Sequence, residues 1–328
     1  MTSKLYSKKR THVMLSCLKT NLPQLGAALA VASLELAAAA FIASPAQAEV
    51  PIWVIEDADS TIYVTGTVHM LPEGTEWHGE KLDAALDEAT EIWLEIPLTG
   101  SVADMQAEAA PLMMQYALSV DAPLSSRLNA EELELLNAAM ERANMPAEAR
   151  AGMEYLKPWV VLQAVGMAPL SEAGYDPEQG IDVQLVRMAI EQGDSVHGFE
   201  TLEQQIQFFA GIPDEDQEQA LRDLLRVSEE ETEEMVTMAT SAFEGWANGD
   251  VEGMEALFTA WAEDEDSALS PLPYERMVAD RNADWAEQIE DMLAGEGVQF
   301  IAVGGGHLVG PDSVFEMLED RGISASRY

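Results

Sequence analysis

The sequence has almost no cysteine: of its 328 residues only Cys17 is one, and it lies close to the N-terminus. This excludes disulfide bonds, thiolate catalysis and thiolate metal ligation from the rest of the chain. Two motifs of common hydrolases are also absent. The chain has no His-Glu-x-x-His of zinc proteases and no Gly-x-Ser-x-Gly of serine hydrolases.

Basic residues are scarce as well. The chain has 17 Lys and Arg against 59 Asp and Glu, which gives a formal charge of −42 at pH 7. A surface this acidic repels nucleic acid and anionic lipid, so we expect no nucleic-acid partner. The acidity is typical of a solvated coat suited to salty surroundings, and we assign it no function of its own.

Long apolar runs are confined to one place. Five basic residues lie within residues 4–19, the apolar run "LGAALAVASLELAAAAFIA" follows at 25–43, and "PAQA" ends at Ala48. This order predicts a signal peptide over residues 1–48, cleaved after Ala48, and a periplasmic or secreted protein. An N-terminal membrane anchor is the alternative, but the charge of Glu35 and the cleavage site favour removal.

The predicted mature chain, residues 49–328, is even more acidic than the full chain. Residues 1–48 hold five basic residues and one acidic residue, so 12 basic and 58 acidic residues remain, a formal charge of −46. No second apolar segment is long enough to span a bilayer, and we expect no stable membrane insertion after cleavage. The oligomeric state is left open.

The most informative pattern is a pair of Gly-x-x-His turns, "YVTGTVH" at residues 63–69 and "FIAVGGGH" at 300–307. With five His and 22 Gly in 328 residues, 5 × 22/328 gives about 0.3 matches by chance. Each match follows a strand-like apolar run. We interpret the glycine as a position that lets the backbone turn sharply and approach a ligand closely.

The hydrophobic pattern predicts strands at about 51–56, 61–66, 91–96, 195–199 and 298–303, with a last one in "ISASRY". Helical patterns fill about 101–190 and 201–295. We therefore predict one α/β domain over residues 49–328. Its central mixed sheet is formed by the N- and C-terminal parts of the mature chain, with a large helical insert between them.

In open α/β sheets, ligands bind at the carboxyl ends of the strands. His69 and His307 both lie just past such an end, and so do Glu95 and Glu200. Imidazole and carboxylate together suit Zn²⁺, Mn²⁺, Fe²⁺ or Co²⁺, and a metal with an open position supports hydrolysis. Plainer interpretations stay open: hydrogen-bonded structural histidines, a helix-capping or solvated glutamate, and a phosphate-binding nest at "GGGH".

Several segments together resemble the TraB/GumN family, which is related to the Tiki proteins. They are "WVIEDADSTIYVTGTVHMLPEGTEW", "EIWLEI", "GIDVQLVRMAIEQGDSVHGFETLEQQIQFF", "RMVADRNADWAEQIEDML" and "FIAVGGGHLVGPDSVFEMLEDRGISASR". Tiki-type members are membrane-associated peptidases that depend on Mn²⁺ or Co²⁺, and TraB-type members act in shutting off peptide pheromones. Carried over position by position, the family's motif residues are His69, Glu95, Glu200, Arg281, Asn282 and His307.

Residue pattern and resemblance together predict an exported, metal-dependent hydrolase that acts on a peptide or small-molecule substrate. His69, Glu95 and His307 are the expected ligands of one divalent metal, Mn²⁺, Co²⁺ or Zn²⁺. Glu200 is expected as a fourth ligand or general base, and Arg281 with Asn282 as contacts of the substrate or transition state.

Two rival hypotheses remain. The chain is either a periplasmic protein that binds and sequesters a peptide or small ligand in the same cleft, or a structural protein whose glycine turns merely close the sheet.

Overall fold

A computed structural model describes residues 49–98, 102–263 and 274–328. The predicted signal peptide therefore lies outside the described residues. Within them, eight strands form a six-stranded sheet and a separate two-stranded one. The strands are β1 (Ile52–Glu56), β2 (Ser60–Thr67), β3 (Leu71–Pro72), β4 (Glu91–Leu94), β5 (Tyr175–Asp176), β6 (Ser195–Gly198), β7 (Gly297–Gly304) and β8 (Ser326–Arg327).

The larger sheet has the order β6-β4-β7-β2-β1-β8. Its first four strands run parallel, whereas β1 runs antiparallel to both β2 and β8. The two central strands, β2 and β7, come from opposite ends of the chain and pair from Ser60 with Gly297 to Thr67 with Gly304. The predicted mixed sheet of N- and C-terminal segments is thus confirmed.

Helices make up most of the remainder. The described α-helices are α1 (Glu80–Glu88), α2 (Val102–Tyr116), α3 (Ala130–Arg142), α4 (Ala147–Met153), α5 (Pro158–Glu172), α6 (Ile181–Gln192), α7 (Leu202–Ala210), α8 (Asp214–Leu225), α9 (Glu229–Ala247), α10 (Glu252–Glu263), α11 (Asp280–Leu293) and α12 (Val314–Glu319). Helices α2 to α6 lie between β4 and β6 in the chain, and α7 to α11 between β6 and β7. A π-helical turn, Glu275–Ala279, leads directly into α11.

The strands at the centre of the sheet are buried because helices cover them. Seven of the eight residues of β2 are buried, which is typical of a parallel strand enclosed on both faces. Capping chemistry sets several helix ends: Thr201 and Ser228 each form a capping box, and Gly193 ends α6 with φ 89°. The sheet and its neighbouring helices share one large hydrophobic core.

One small element was not expected from the sequence. The two-stranded sheet of β3 and β5 was not predicted, because strands of two residues leave no periodic pattern. Across residues 49–98, 102–263 and 274–328, no helix combines the length and apolarity needed to cross a membrane.

Candidate active site

Four parallel strands deliver four predicted residues to one edge of the sheet. Following the sheet order β6, β4, β7 and β2, the residues just past the strand ends are Glu200, Glu95, His307 and His69. This is the edge at which α/β sheets bind ligands. The topology therefore brings together residues that are up to 238 positions apart in the sequence.

Arg281, at the start of α11, lies buried in the middle of this group. Its Nε donates to Glu200 Oε1 (2.7 Å), and its Nη2 donates to Glu95 Oε2 (2.6 Å) and Glu200 Oε2 (2.9 Å). Its Nη1 donates to the Met277 carbonyl oxygen (3.1 Å) and to His307 Nε2 (3.1 Å). A guanidinium has five N–H groups, so protein acceptors occupy them all. Arg281 thus holds the two carboxylates in place and has no donor left for a substrate.

Glu200 is equally committed to the protein. Besides Arg281, its Oε1 accepts a hydrogen bond from Trp285 Nε1 (3.1 Å) and its Oε2 accepts one from Gln205 Nε2 (3.3 Å). The side chain is buried. Each carboxylate oxygen therefore has two donors, which positions Glu200 as the partner of Arg281.

Glu95 has one oxygen that remains accessible to a ligand. Its Oε2 accepts from Arg281 and from Gln205 Nε2 (3.1 Å), whereas its Oε1 accepts only from the backbone N–H of Gly304 (2.8 Å). Burial raises the pKa of Glu95, but the charge of Arg281, helped by that of His69, outweighs it and holds the pKa well below its usual range. Glu95 is therefore ionised at neutral pH.

His307 is locked in one tautomer. Because a guanidinium only donates, His307 Nε2 accepts from Arg281, and Nδ1 then donates to Asn282 Oδ1 (2.6 Å). The fully buried Asn282 is fixed in turn by donating to the Asp312 carbonyl oxygen (2.6 Å). Burial, followed by the charges of Arg281 and His69, lowers the pKa of His307 to about 3 despite Glu95. Asn282 thus positions His307 from behind, and His307 is neutral.

His69 has the opposite surroundings. Its side chain is 60% exposed, and its Nδ1 lies 3.2 Å from Asp182 Oδ2. Desolvation opposes protonation, but the charge and hydrogen bond of Asp182 and the charge of Glu95 outweigh it and raise the pKa of His69 to about 9. At neutral pH His69 is therefore an imidazolium that faces the ionised Glu95.

Asp182 was not predicted from the sequence. It lies in the first turn of α6, and the helix start is tied to the first turn motif because Ile181 N donates to the Val68 carbonyl oxygen (2.9 Å). The other oxygen of Asp182, Oδ1, is buried and has no hydrogen-bond partner among the described residues. In the sequence, Asp182 is marked only as an acidic residue two positions after the glycine that opens α6, in "GID". Acidic residues are common in the first turn of any helix, so this pattern does not identify a site residue.

The glycines of the two turns accommodate different neighbours. A Cβ added at Gly304 would lie 2.9 Å from Glu95 Oε1 and 3.8 Å from His69 Nε2. A Cβ at Gly66 would collide with the Trp246 ring of α9, whose Nε1 donates to the Gly66 carbonyl oxygen (2.9 Å). The expected close approach is therefore present at both glycines, to a site carboxylate in one case and to a packing indole in the other.

A cavity of about 240 Å³ opens beside this group. His69, Glu95, Asp182, Gln205 and Thr67 contribute its polar lining. Apolar side chains make up most of the rest, among them Leu94, Ile96, Leu98, Met105, Val183 and Ala302. A largely apolar pocket with a few convergent polar groups is the usual form of a small-molecule site.

The three predicted metal ligands are bonded to other residues of the protein: Glu95 and His307 to Arg281, and His69 to Asp182. Among the described residues, no group of three His, Cys, Asp or Glu side chains is placed to hold a metal ion. Both nitrogens of His307 are engaged, with Arg281 and Asn282. The positive guanidinium also lies where it would repel a cation. The ligand set His69, Glu95 and His307 stays a prediction.

The remaining histidines that the structure describes take no part in the site. His197 is half-buried in β6 and stacks on Trp93 with ring centroids 4.8 Å apart. His78 is exposed and lies 3.4 Å from Asp83 Oδ1.

Comparisons with known proteins agree with the resemblance noted from the motifs. A model of the TraB/PrgY/gumN family matches residues 51–327. An uncharacterized protein of Treponema pallidum (strain Nichols) is 22% identical over 277 residues, covering 82% of this chain and 80% of that protein. No solved structure gave a significant match. Because the family model spans nearly all of the described domain, the chain belongs to the TraB/PrgY/gumN family.

Proposed function

We propose that this chain is a hydrolase that cleaves an amide or ester bond in a peptide-like substrate. The observation that carries this proposal is the pair of His69 and Glu95 at the mouth of the cavity. They are the two predicted site residues that line the cavity, and their pKa values are shifted in opposite directions. Pairs of titratable groups pushed apart in this way are typical of acid–base catalysis.

The chemistry follows from the charge state of the pair. The Glu95 carboxylate orients a water molecule through Oε1 and takes its proton as the water oxygen bonds to the substrate carbonyl carbon. Because Arg281 holds the pKa of Glu95 below its usual range, Glu95 keeps this proton only transiently. The His69 imidazolium stabilises the oxyanion and gives its Nε2 proton to the leaving amine or alcohol as the old bond breaks. Proton exchange with solvent then restores Glu95 as carboxylate and His69 as imidazolium. Asp182 holds the imidazole ring from the Nδ1 side.

The buried residues of the group support this pair without touching the substrate. Arg281 and Gln205 fix Glu95, and Asn282 fixes His307 against Arg281. Pre-organised groups of this kind keep the reacting residues in a productive geometry during the reaction. We therefore assign Arg281, Asn282 and Glu200 positioning roles in the proposed reaction.

The test is turnover of a library of quenched fluorescent peptides by wild type, Glu95→Gln and His78→Ala. We expect cleavage by wild type and His78→Ala, and a loss of about 10²–10⁴-fold in Glu95→Gln. The divalent metal is a separate proposal from the family resemblance. The same assay with EDTA, and then with Mn²⁺, Co²⁺ or Zn²⁺ restored, decides whether one is required. Cleavage of the library by Glu95→Gln at the wild-type rate would overturn the hydrolase assignment.

A second candidate is a non-enzymatic protein that sequesters a peptide or small ligand in the same cavity. It is favoured by the full occupancy of the Arg281 donors, which leaves His69 as the main group that can face a developing negative charge. Saturable binding of a library peptide with no cleavage product by mass spectrometry, in EDTA and with each metal, would establish this candidate instead.

We further propose that the protein acts in the periplasm or outside the cell after cleavage at Ala48. The support is the basic, apolar and small-residue order of residues 1–48. The intact mass of material recovered from an export-competent bacterial host tests this proposal. A chain beginning at Glu49 in the periplasmic fraction is expected, whereas a full-length chain in the membrane fraction would contradict it.

A further inference from the structure

A second cavity, of about 150 Å³, lies next to the first. The two cavities share Ile96, Leu98 and Met105 as lining residues. The first cavity holds His69 and Glu95, so a substrate that reaches the second one extends away from the reacting pair. A side chain of the substrate close to the scissile bond is therefore the group that would enter the second cavity.

The walls of the second cavity are mostly apolar, and one of its two polar lining residues is acidic. Pro97 and Leu202 add to the three shared apolar residues, whereas Thr201 and Glu108 supply the polar part. Glu108 is exposed on α2, so its carboxylate stays solvated while the apolar walls are partly covered. A ligand group for this cavity needs an apolar stem and gains from a positive end.

Lysine and arginine have this composition. Their methylene stems bury against apolar surface while the charged head stays in water. An acidic molecule with 12 basic residues against 58 acidic ones over residues 49–328 also attracts cationic substrates and repels anionic ones. We propose that the second cavity binds a lysine or arginine side chain, and that the substrates are basic peptides. The part that concerns cleavage rests on the proposed hydrolase function.

Three probes with the same backbone distinguish the effect of the apolar stem from that of the charge. They are N-acetyl-L-lysinamide, N-acetyl-L-norleucinamide and the α-amide of N-acetyl-L-glutamic acid, called the glutamamide probe, which keeps its γ-carboxylate. Binding is followed through the ¹³C-labelled methyl group of Met105, identified by its loss in Met105→Leu. We expect the lysine probe to bind about fivefold tighter than the norleucine probe at low salt, and the difference to shrink as salt rises. The glutamamide probe is expected to bind most weakly.

Variants of Glu108 test whether its carboxylate is the partner of the positive end of the lysine probe. Glu108→Gln removes the preference of the lysine probe over the norleucine probe, and Glu108→Lys reverses the order of the lysine and glutamamide probes. Glu191→Lys, an exposed charge reversal on α6, is the matched control for long-range charge and leaves the order unchanged. Because Glu108 is exposed, these variants are expected to fold, which a thermal melt checks.

Turnover and binding fail in distinguishable ways. Binding of the lysine probe with the Glu108 dependence but no cleavage of any peptide sinks the hydrolase function and leaves this inference standing. Cleavage with equal kcat/KM for peptides carrying Lys, norleucine or Glu near the bond overturns this inference and leaves the hydrolase function standing. A lysine preference that Glu108→Gln does not alter also overturns it.

Discussion

The two Gly-x-x-His turns have the same spacing, follow adjacent parallel strands and place their histidines in opposite environments. His69 is 60% exposed, is bonded to Asp182 and has a raised pKa, whereas His307 is 8% exposed and has a lowered one. The shared Gly-x-x-His spacing therefore gives neither the same backbone nor the same role: Gly305–Leu308 forms a short 3-10 helix, whereas the residues around His69 do not. The helices packed behind each turn decide the protonation state of its histidine.

The glycines repeat this difference. Gly304 lets the Glu95 carboxylate approach the backbone, whereas Gly66 makes room for the Trp246 indole of the helical insert. Trp246 also packs against Gly305, so one side chain contacts both turns. The two glycines thus make room for different neighbours, a site carboxylate at Gly304 and a packing indole at Gly66.

The largest effect is expected from His69→Ala. If the first turn carries the chemistry, this variant loses about 10²–10⁴-fold in kcat/KM while its melting temperature changes little, because the side chain is exposed. His78→Ala, with an equally exposed histidine, is the control. Full activity in His69→Ala would contradict the proposal that the first turn carries the chemistry.

Arg281→Met tests the supporting half. It leaves the buried Glu200 and the largely buried Glu95 without their counter-charge, which costs about 3–5 kcal/mol of unfolding free energy. Urea denaturation measures the loss. Arg276→Met, which removes a more exposed arginine from the preceding π-helical turn, is the control and is expected to stay near the wild-type value. A stable Arg281→Met protein would show that the carboxylates do not depend on it.

Trp246→Phe probes the side chain that joins the turns. It removes the hydrogen bond to the Gly66 carbonyl oxygen and part of a fully buried ring, so we expect a loss of about 1–3 kcal/mol. We also expect the ring resonances of both His69 and His307 to shift in NMR spectra. A shift confined to one histidine would show that Trp246 does not couple the turns.

The pH dependence of stability separates the histidines. With a folded pKa of about 3 against an ordinary 6.5, His307 binds a proton in the unfolded chain but not in the folded one between these values. The free energy of unfolding therefore falls as the pH drops through this window, by at most about 1.4 kcal/mol per pH unit from this group. Glu95, with its lowered pKa, acts in the same direction below about 4.5.

His69 has the opposite sign, because its raised pKa gives stability that is present below about 6.5 and lost as the pH rises through about 9. This contribution is small, because the side chain is 60% exposed and solvent screens its pairing with Asp182. Urea titrations in EDTA between pH 5 and 6.5 check the His307 contribution, which His307→Gln removes. An unchanged slope in that variant would contradict a neutral, buried His307.

The smallest change is expected from Asp182→Asn. Loss of the carboxylate charge lowers the pKa of His69 from about 9 towards its ordinary 6.5 and leaves that of His307 in place. Titration of the imidazole resonances by NMR measures both values in one sample. A His69 pKa that stays at about 9 would assign the shift to Glu95 rather than to Asp182.

Much of this site was predictable because strand ends are readable in sequence. The apolar runs before His69, Glu95, Glu200 and His307 each end at a glycine or a polar residue, and parallel strands carry such ends to one edge. The sheet order was not needed to expect their convergence. The family motif then added Arg281 and Asn282.

The contacts that define the roles were not predictable. Asp182 lies 113 residues from His69, and Trp246 lies 180 residues from Gly66, with no local pattern that pairs them. The same holds for Arg281, whose five donors are filled by residues from three different strand ends and its own helix. Local sequence describes elements, whereas donor occupancy depends on how distant elements pack.

The pairing of β2 with β7 has a consequence for biosynthesis. The two strands at the centre of the sheet begin 237 residues apart, at Ser60 and Gly297. The edge of β2 that pairs with β7 therefore stays unpaired until most of the chain has been made. Contacts of such high sequence separation form slowly, because a long loop must close first. His307 follows β7 directly, after its partners Arg281 and Asn282 have already been made. A chain that is released early therefore has the reactive histidine but no sheet edge to hold it.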